Sequence, residues 1–325
     1  MKTVTLLITL FLCIPCMAQP GKKVKEKRTY NNPVIDYSLP DPTIIKADDG
    51  YFYLYATEDI RNLPIHRSAN LVDWEFVGTA FTDSTRPTFQ QLIWAPDIRK
   101  IGDKYVLYYA NSSWGEEHTN GIGIAWSLGP EGPFTDAGKL FLSDEIEVMN
   151  SIDAFYMEEN GRKYLFWGSW HGLWGVELTD DGLALQPNTP KIPIAGNGYG
   201  DYYYLFASTG SCCEGLKSTY TTVVGRSKNL FGPYVNRKGE LMLSNHHEVV
   251  IEKNKDFVGP GHNSQLVTDD AGNDWIFYHG VNVKNPEGRV VMMSKIVWED
   301  GWPTVENSSP AVTATAPYFK SQYKN

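Results

Sequence analysis

The chain has 325 residues, 38 acidic against 29 basic side chains, a formal net charge of −9 and 13% aromatic residues. An acidic chain with no basic stripe argues against nucleic acid as a partner. Two of its four Cys fall before Met17 and the other two are neighbours, Cys212-Cys213, so no metal-ligand spacing is present.

Residues 1–18 predict a secretory signal. Lys2 gives a positive start, Val4 to Cys16 an apolar core, and Met17-Ala18 before Gln19 a small-residue cleavage site. The apolar run is too short to span a bilayer, so the chain is expected to be secreted or periplasmic with no membrane span. Residues 19–31 are Lys-rich and polar and predict a flexible lead into a single domain over 32–325.

Within that domain one phrase repeats. Leu39-Pro40-Asp41-Pro42-Thr43 opens an apolar segment, Ala47-Asp48-Asp49-Gly50 makes a turn, and Tyr51-Phe52-Tyr53-Leu54-Tyr55 reads as an aromatic strand. The phrase returns at Pro96-Asp97 with the strand Lys104-Tyr105-Val106-Leu107-Tyr108-Tyr109, and at Ile152-Asp153 with Lys163-Tyr164-Leu165-Phe166-Trp167. Asp41, Asp97 and Asp153 are each 56 residues apart. The last copy is headed by Pro260-Gly261-His262 and continues to Trp275-Ile276-Phe277-Tyr278. The fourth keeps its strand, Tyr202-Tyr203-Tyr204-Leu205-Phe206, but its head should fall near Lys191-Ile192-Pro193-Ile194-Ala195, which holds no acid.

Repeats of this length with short strands predict stacked units the size of propeller blades, and five copies predict an all-β, five-bladed β-propeller. Radial symmetry then brings Asp41, Asp97, Asp153 and His262 to the central channel. The alternative is that these acids only cap turns, which their regular spacing disfavours. Blades two and four share a closing phrase, Gly129-Pro130 to Phe134 and Gly232-Pro233-Tyr234, Trp302-Pro303 ends the last blade, and the tail from Ser308 reads as loop. Cys212-Cys213 form either a vicinal disulfide or two thiols.

Asp41-Pro42-Thr43, Trp94-Ala95-Pro96-Asp97, Asn150-Ser151-Ile152-Asp153, Gly168-Ser169-Trp170, Cys212-Cys213 before Ser218-Thr219-Tyr220, and Gly259-Pro260-Gly261-His262-Asn263 together resemble glycoside hydrolase family 43. The likeness is to its arabinan-degrading branch and runs from about Asn32 to Pro303. It implies a monomeric propeller acting on a polysaccharide by inversion, with Asp41 as general base and Asp153 holding the general acid in position with its proton. Inversion needs acid and base about 6.5–9.5 Å apart, so that water fits behind the sugar.

By the same resemblance Trp94, Asp97, Asn150 and Trp170 would meet substrate, although either Trp could be inter-blade core and Asp97 could support the channel wall. His262 would face a calcium ion or a water cluster at the axis. Calcium prefers oxygen ligands, so a His bonded to water is an equal reading. No cofactor is required. The chain departs from the family at its third acid, a Glu just ahead of the fourth blade's aromatic strand. Here Ile194-Ala195-Gly196-Asn197 runs through Gly198-Tyr199-Gly200 directly to Asp201-Tyr202. Three readings follow: a weak or dead enzyme, a substitute acid at Asp201 or Glu214, or a local deletion in the sequence. A non-catalytic glycan-binding propeller is the alternative function.

Overall fold

The computed structural model describes residues 28–87, 92–194, 198–199 and 202–323. Five antiparallel sheets follow one another along the chain, and strand order within each sheet follows chain order. Blade 1 comprises Thr43–Lys46, Phe52–Tyr55, Pro64–Ser68 and Glu75–Thr79. Blade 2 comprises Leu92–Ile101, Lys104–Ser112, Gly121–Ser127 and Thr135–Leu142. Blade 3 runs through Phe155–Glu159, Arg162–Ser169, Gly172–Leu178 and Ile192–Ile194. Blade 4 has Gly198–Tyr199, Tyr202–Thr209, Thr221–Ser227 and Glu248–Ile251. Blade 5 has Phe257–Gly261, Asp274–Asn282, Asn285–Glu299 and Trp302–Val305, with the short Val267–Thr268 beside its second strand. The protein is an all-β, five-bladed propeller.

Aromatic residues pack these sheets face to face. Leu54 and Phe52 of blade 1 meet Trp275, Phe277 and Met293 of blade 5 in one buried cluster. Tyr53, Tyr55 and Ile65 of blade 1 meet Leu107 and Tyr109 of blade 2 in another. Trp167 and Leu165 join blade 3 to blade 2, and Tyr204 and Val224 join blade 4 to Tyr278 and Met292 of blade 5. Each fully buried Phe or Trp contributes about 3–5 kcal/mol against truncation to Ala. Among the described residues the blade 3–blade 4 junction is thinner. There Phe231 stacks edge-on against Tyr164 (5.5 Å between ring centroids) and lies near Phe166.

Blade 4 is also short at its centre. Its first strand has two residues, pairing Gly198 with Tyr203 and Tyr199 with Tyr202. The first strands of the other blades have four to ten. The second strand of blade 4 is paired with its outer neighbour from Tyr203 to Thr209 and, among the described residues, on its inner edge only at Tyr202 and Tyr203. The gap seen in the repeat thus coincides, among the described residues, with the shortest inner strand.

Two expectations differ from the structure. Residues 29–31 are not a loose lead: Thr29–Asn31 pairs antiparallel with Thr313–Thr315, so part of the tail is strand as well. Pairing needs a partner far along the chain, and three residues carry no pattern that reveals it. In blade 2, moreover, the residue at the head position is Ala95. Asp41, Asp153, His262 and Ala95 share a left-handed backbone, with φ of 57°, 58°, 49° and 38°. Asp97 lies two residues further on, inside the strand opposite Tyr108. Cys212 and Cys213 form the vicinal disulfide. The signal segment 1–18 lies outside the described residues.

Candidate active site

A left-handed conformation is uncommon for a residue with a β-carbon and costs on the order of 1–3 kcal/mol, so it persists only where the surroundings impose it. Here it recurs at the heads of blades 1, 3 and 5, where Asp41, Asp153 and His262 come together. His262 Nδ1 lies 3.3 Å from Asp41 Oδ1 and 3.9 Å from Asp153 Oδ2. The side chain of Asp41 is 10% exposed and that of Asp153 36% exposed. Both line a cavity of about 1310 Å³.

The two carboxyls have opposite surroundings. Thr57 Oγ1 donates to Asp41 Oδ2 at 2.6 Å, and Arg289 Nη1 donates to Oδ1 at 3.1 Å. Burial alone would raise the Asp41 pKa, but His262, Arg289 and His279 outweigh it and hold the carboxyl well below the usual range. Asp153 has no comparable set of donors. Burial deep in the channel, together with the negative charge of Asp41, raises it to about 6 against the pull of His262. One acid is held ionised and the other is shifted toward its protonated form, the division of labour that acid–base catalysis needs. His279 is held neutral, its pKa lowered to about 4 chiefly by burial. It receives the Asp41 backbone N–H at Nδ1 (3.2 Å) and lies between the rings of Tyr220 and His262, at centroid distances of 5.8 and 6.0 Å.

These residues do not suit a calcium ion. The oxygens of Asp41 are taken by Thr57 and by the Arg289 cation, which would repel a divalent ion. Among the described residues no group of three or more His, Cys, Asp and Glu is arranged to hold a metal. His262 instead donates its backbone N–H to Ser208 Oγ at 2.9 Å.

The remaining candidates separate. Trp170 is 71% exposed at the cavity rim. Trp94 is half-buried, lines the cavity and packs against the blade 2–blade 3 core. Its ring lies 5.0 Å from that of Trp114, itself 71% exposed. Asn150 is buried at the cavity wall, its Oδ1 bonded to Asn120 while its Nδ2 has no partner.

Asp97 is 4% exposed and fully engaged: it receives the Tyr156 N–H at 2.7 Å and Thr43 Oγ1 at 3.2 Å, and it pairs with Arg99 at 3.0 Å. Those partners belong to blades 3, 1 and 2, so Asp97 ties the wall together. Because removing one member of a buried pair strands the other, Asp97→Ala should cost about 3–5 kcal/mol of stability. Thermal unfolding checks this, and a variant that unfolds normally but binds sugar poorly would restore Asp97 to the substrate site.

Of the two substitute acids, Glu214 is exposed just before the turn Gly215–Lys217, and Asp201 lies outside the described residues, as does the Ala195–Asn197 stretch. Thr57, Tyr220, His279, Arg289 and Trp114 were not legible as site residues. Each reaches the channel from a position that the head motif does not mark.

Residues 30–303 match the glycosyl hydrolases family 43. The extracellular exo-α-(1→5)-L-arabinofuranosidase ArbA of Cellvibrio japonicus is 32% identical over 82% of this chain and 86% of its own. The extracellular endo-α-(1→5)-L-arabinanase 1 of Bacillus subtilis is 30% identical over 82% and 87%. The α-L-arabinanase structure from Cellvibrio cellulosa superposes with a TM-score of 0.76 at 29% identity, covering 83% of this chain and 96% of that one. With this match over most of its length and the paired acids at the propeller axis, the chain belongs to glycoside hydrolase family 43.

Proposed function

We propose that the protein is an exported, monomeric hydrolase of α-1,5-linked arabinan that works by inversion with weakened acid catalysis. Asp41 is the base: ionised at all working pH values, it withdraws a proton from water as that water attacks the anomeric carbon. The glycosidic bond breaks toward the leaving sugar, whose oxygen needs a proton. In the family that proton comes from the Glu missing here, since no Glu lies between Glu177 and Glu214. Asp153, protonated up to about pH 6 and beside Asp41 at the propeller axis, is the acid assigned to supply it. Carboxylates and water suffice, with no cofactor. The observation that carries this reading is the convergence of Asp41 and Asp153 on the same imidazole nitrogen, in surroundings that shift the two carboxyls in opposite directions. The relatives' activities on arabinan and their extracellular location support the substrate and the export.

The test compares sugar release from linear arabinan and from an aryl arabinofuranoside whose leaving group needs no proton. Cleavage of the aryl substrate is expected to be flat above neutrality. Arabinan cleavage should be slower and should decline as pH rises through about 6, where Asp153 loses its proton. Arabinan cleavage that is fast and unchanged above pH 7 would point to another acid.

The two-residue first strand of blade 4 favours one second reading, a propeller that binds arabinan without cutting it. Retention on an arabinan gel with no sugar released from either substrate would establish that reading.

A further inference from the structure

Trp114 and Trp170 occupy the same place in neighbouring blades, the connection between second and third strands. Both are 71% exposed, more than any other described aromatic side chain, and both face the cavity. Indoles this exposed gain little from the core, and at a cavity rim each offers an apolar face with a polar N–H edge, suited to a ligand that is part apolar and part hydrated, as a sugar ring is. What sets their spacing is the next question, because Trp114 sits on the long connection 113–120 and Trp170 on the two-residue turn 170–171.

A side-chain contact crosses from one connection to the other. His171 Nε2 lies 2.9 Å from Glu117 Oε2, the two side chains being 37% and 34% exposed. Behind it runs a backbone brace. The Glu117 carbonyl receives the Asn150 N–H at 2.8 Å, and Ser169 Oγ donates to the Asn150 carbonyl at 3.0 Å. The brace fixes where the two connections start, whereas the side-chain pair fixes how far apart their tips stand. A half-exposed pair adds little to stability, about 0–1 kcal/mol. Its place between two exposed indoles therefore calls for another explanation.

We infer that Glu117 and His171 are positioning residues that lock the blade 2 and blade 3 rims together, so that Trp114 and Trp170 form a preset platform for successive furanose units of a polymer chain. The lock contributes by ordering the platform before the chain arrives. It therefore acts on ligands long enough to reach the rim and not on those confined to the channel around Asp41 and Asp153. The inference rests on the polysaccharide reading above but not on catalysis, because it concerns binding alone.

The test is affinity electrophoresis through gels containing linear arabinan, with Glu117→Gln, His171→Gln, the double variant, and the exchanged pair Glu117→His with His171→Glu. Each single variant is expected to bind arabinan roughly 3- to 10-fold more weakly. The double variant should be no weaker than either single, and the exchanged pair should recover most of the loss. Affinity for arabinobiose and the unfolding temperature should not move. Singles that bind like wild type, or losses that multiply in the double variant, would overturn the lock. Should wild type ignore arabinan but bind linear xylan, the arabinan reading fails and the same variants are compared on xylan. Retention by neither polymer sinks both.

Discussion

Asp41→Ala should abolish hydrolysis of linear arabinan and of the aryl arabinofuranoside alike. A general base typically contributes roughly 10²- to 10⁴-fold. His279 is neutral but buried and already receives the Asp41 backbone N–H, and Arg289 is a cation. The substitution also strands the Arg289 charge, so Asp41→Asn, which preserves shape, serves as the companion variant. Both should lose turnover, and the Ala variant should unfold at the lower temperature. Full activity in Asp41→Asn would remove Asp41 from the mechanism. Because the aryl substrate needs attack but not leaving-group protonation, its loss assigns Asp41 to the water side of the reaction.

The opposite experiment adds what blade 4 lacks. Inserting a strand-length segment with a Glu-Gly-Pro phrase between Ala195 and Gly196 should raise arabinan turnover by about 10²- to 10⁴-fold, the usual worth of a general acid. Cleavage of the aryl substrate should change far less. The existing structure offers the acceptor: the inner edge of Tyr204–Thr209 is open among the described residues and lines the same cavity as Asp41 and Asp153. A Gln in place of the inserted Glu is the control. If the Gln insert accelerates arabinan cleavage equally, the gain comes from closing the wall and not from the carboxyl. If neither insert helps, the loss of the strand is not what limits the protein.

Much of this site was legible because its chemistry falls on a repeated structural position. Asp41, Asp153 and His262 stand at blade heads, and the head motif marks them whatever the rest of the chain does. The regular 56-residue spacing misled at blade 2, where Asp97 took the place that belongs to Ala95. The correct register was available in the prolines: Asp41-Pro42 aligns with Ala95-Pro96, and Thr43 with Asp97. What sequence could not give were groups that act across blades. Arg289 reaches Asp41 from 248 positions away, and Thr57 from the far side of a hairpin. Neither belongs to a local pattern. The gap in blade 4 was visible as missing residues, but its meaning as an open strand edge needed the pairing of Tyr202 and Tyr203.

The clasp between Thr29–Asn31 and Thr313–Thr315 bears on how the ring is assembled. In this propeller every blade is a continuous piece of chain, and no strand is borrowed across the closure. Blade 5 meets blade 1 through side-chain packing, and the clasp lies against that seam, with its Tyr30 and Ala314 in the same cluster. The two clasp strands therefore lie side by side without dividing any blade. A short linker could join them, and new ends could be opened in the exposed Lys253–Lys255 connection between blades 4 and 5, leaving all five sheets whole.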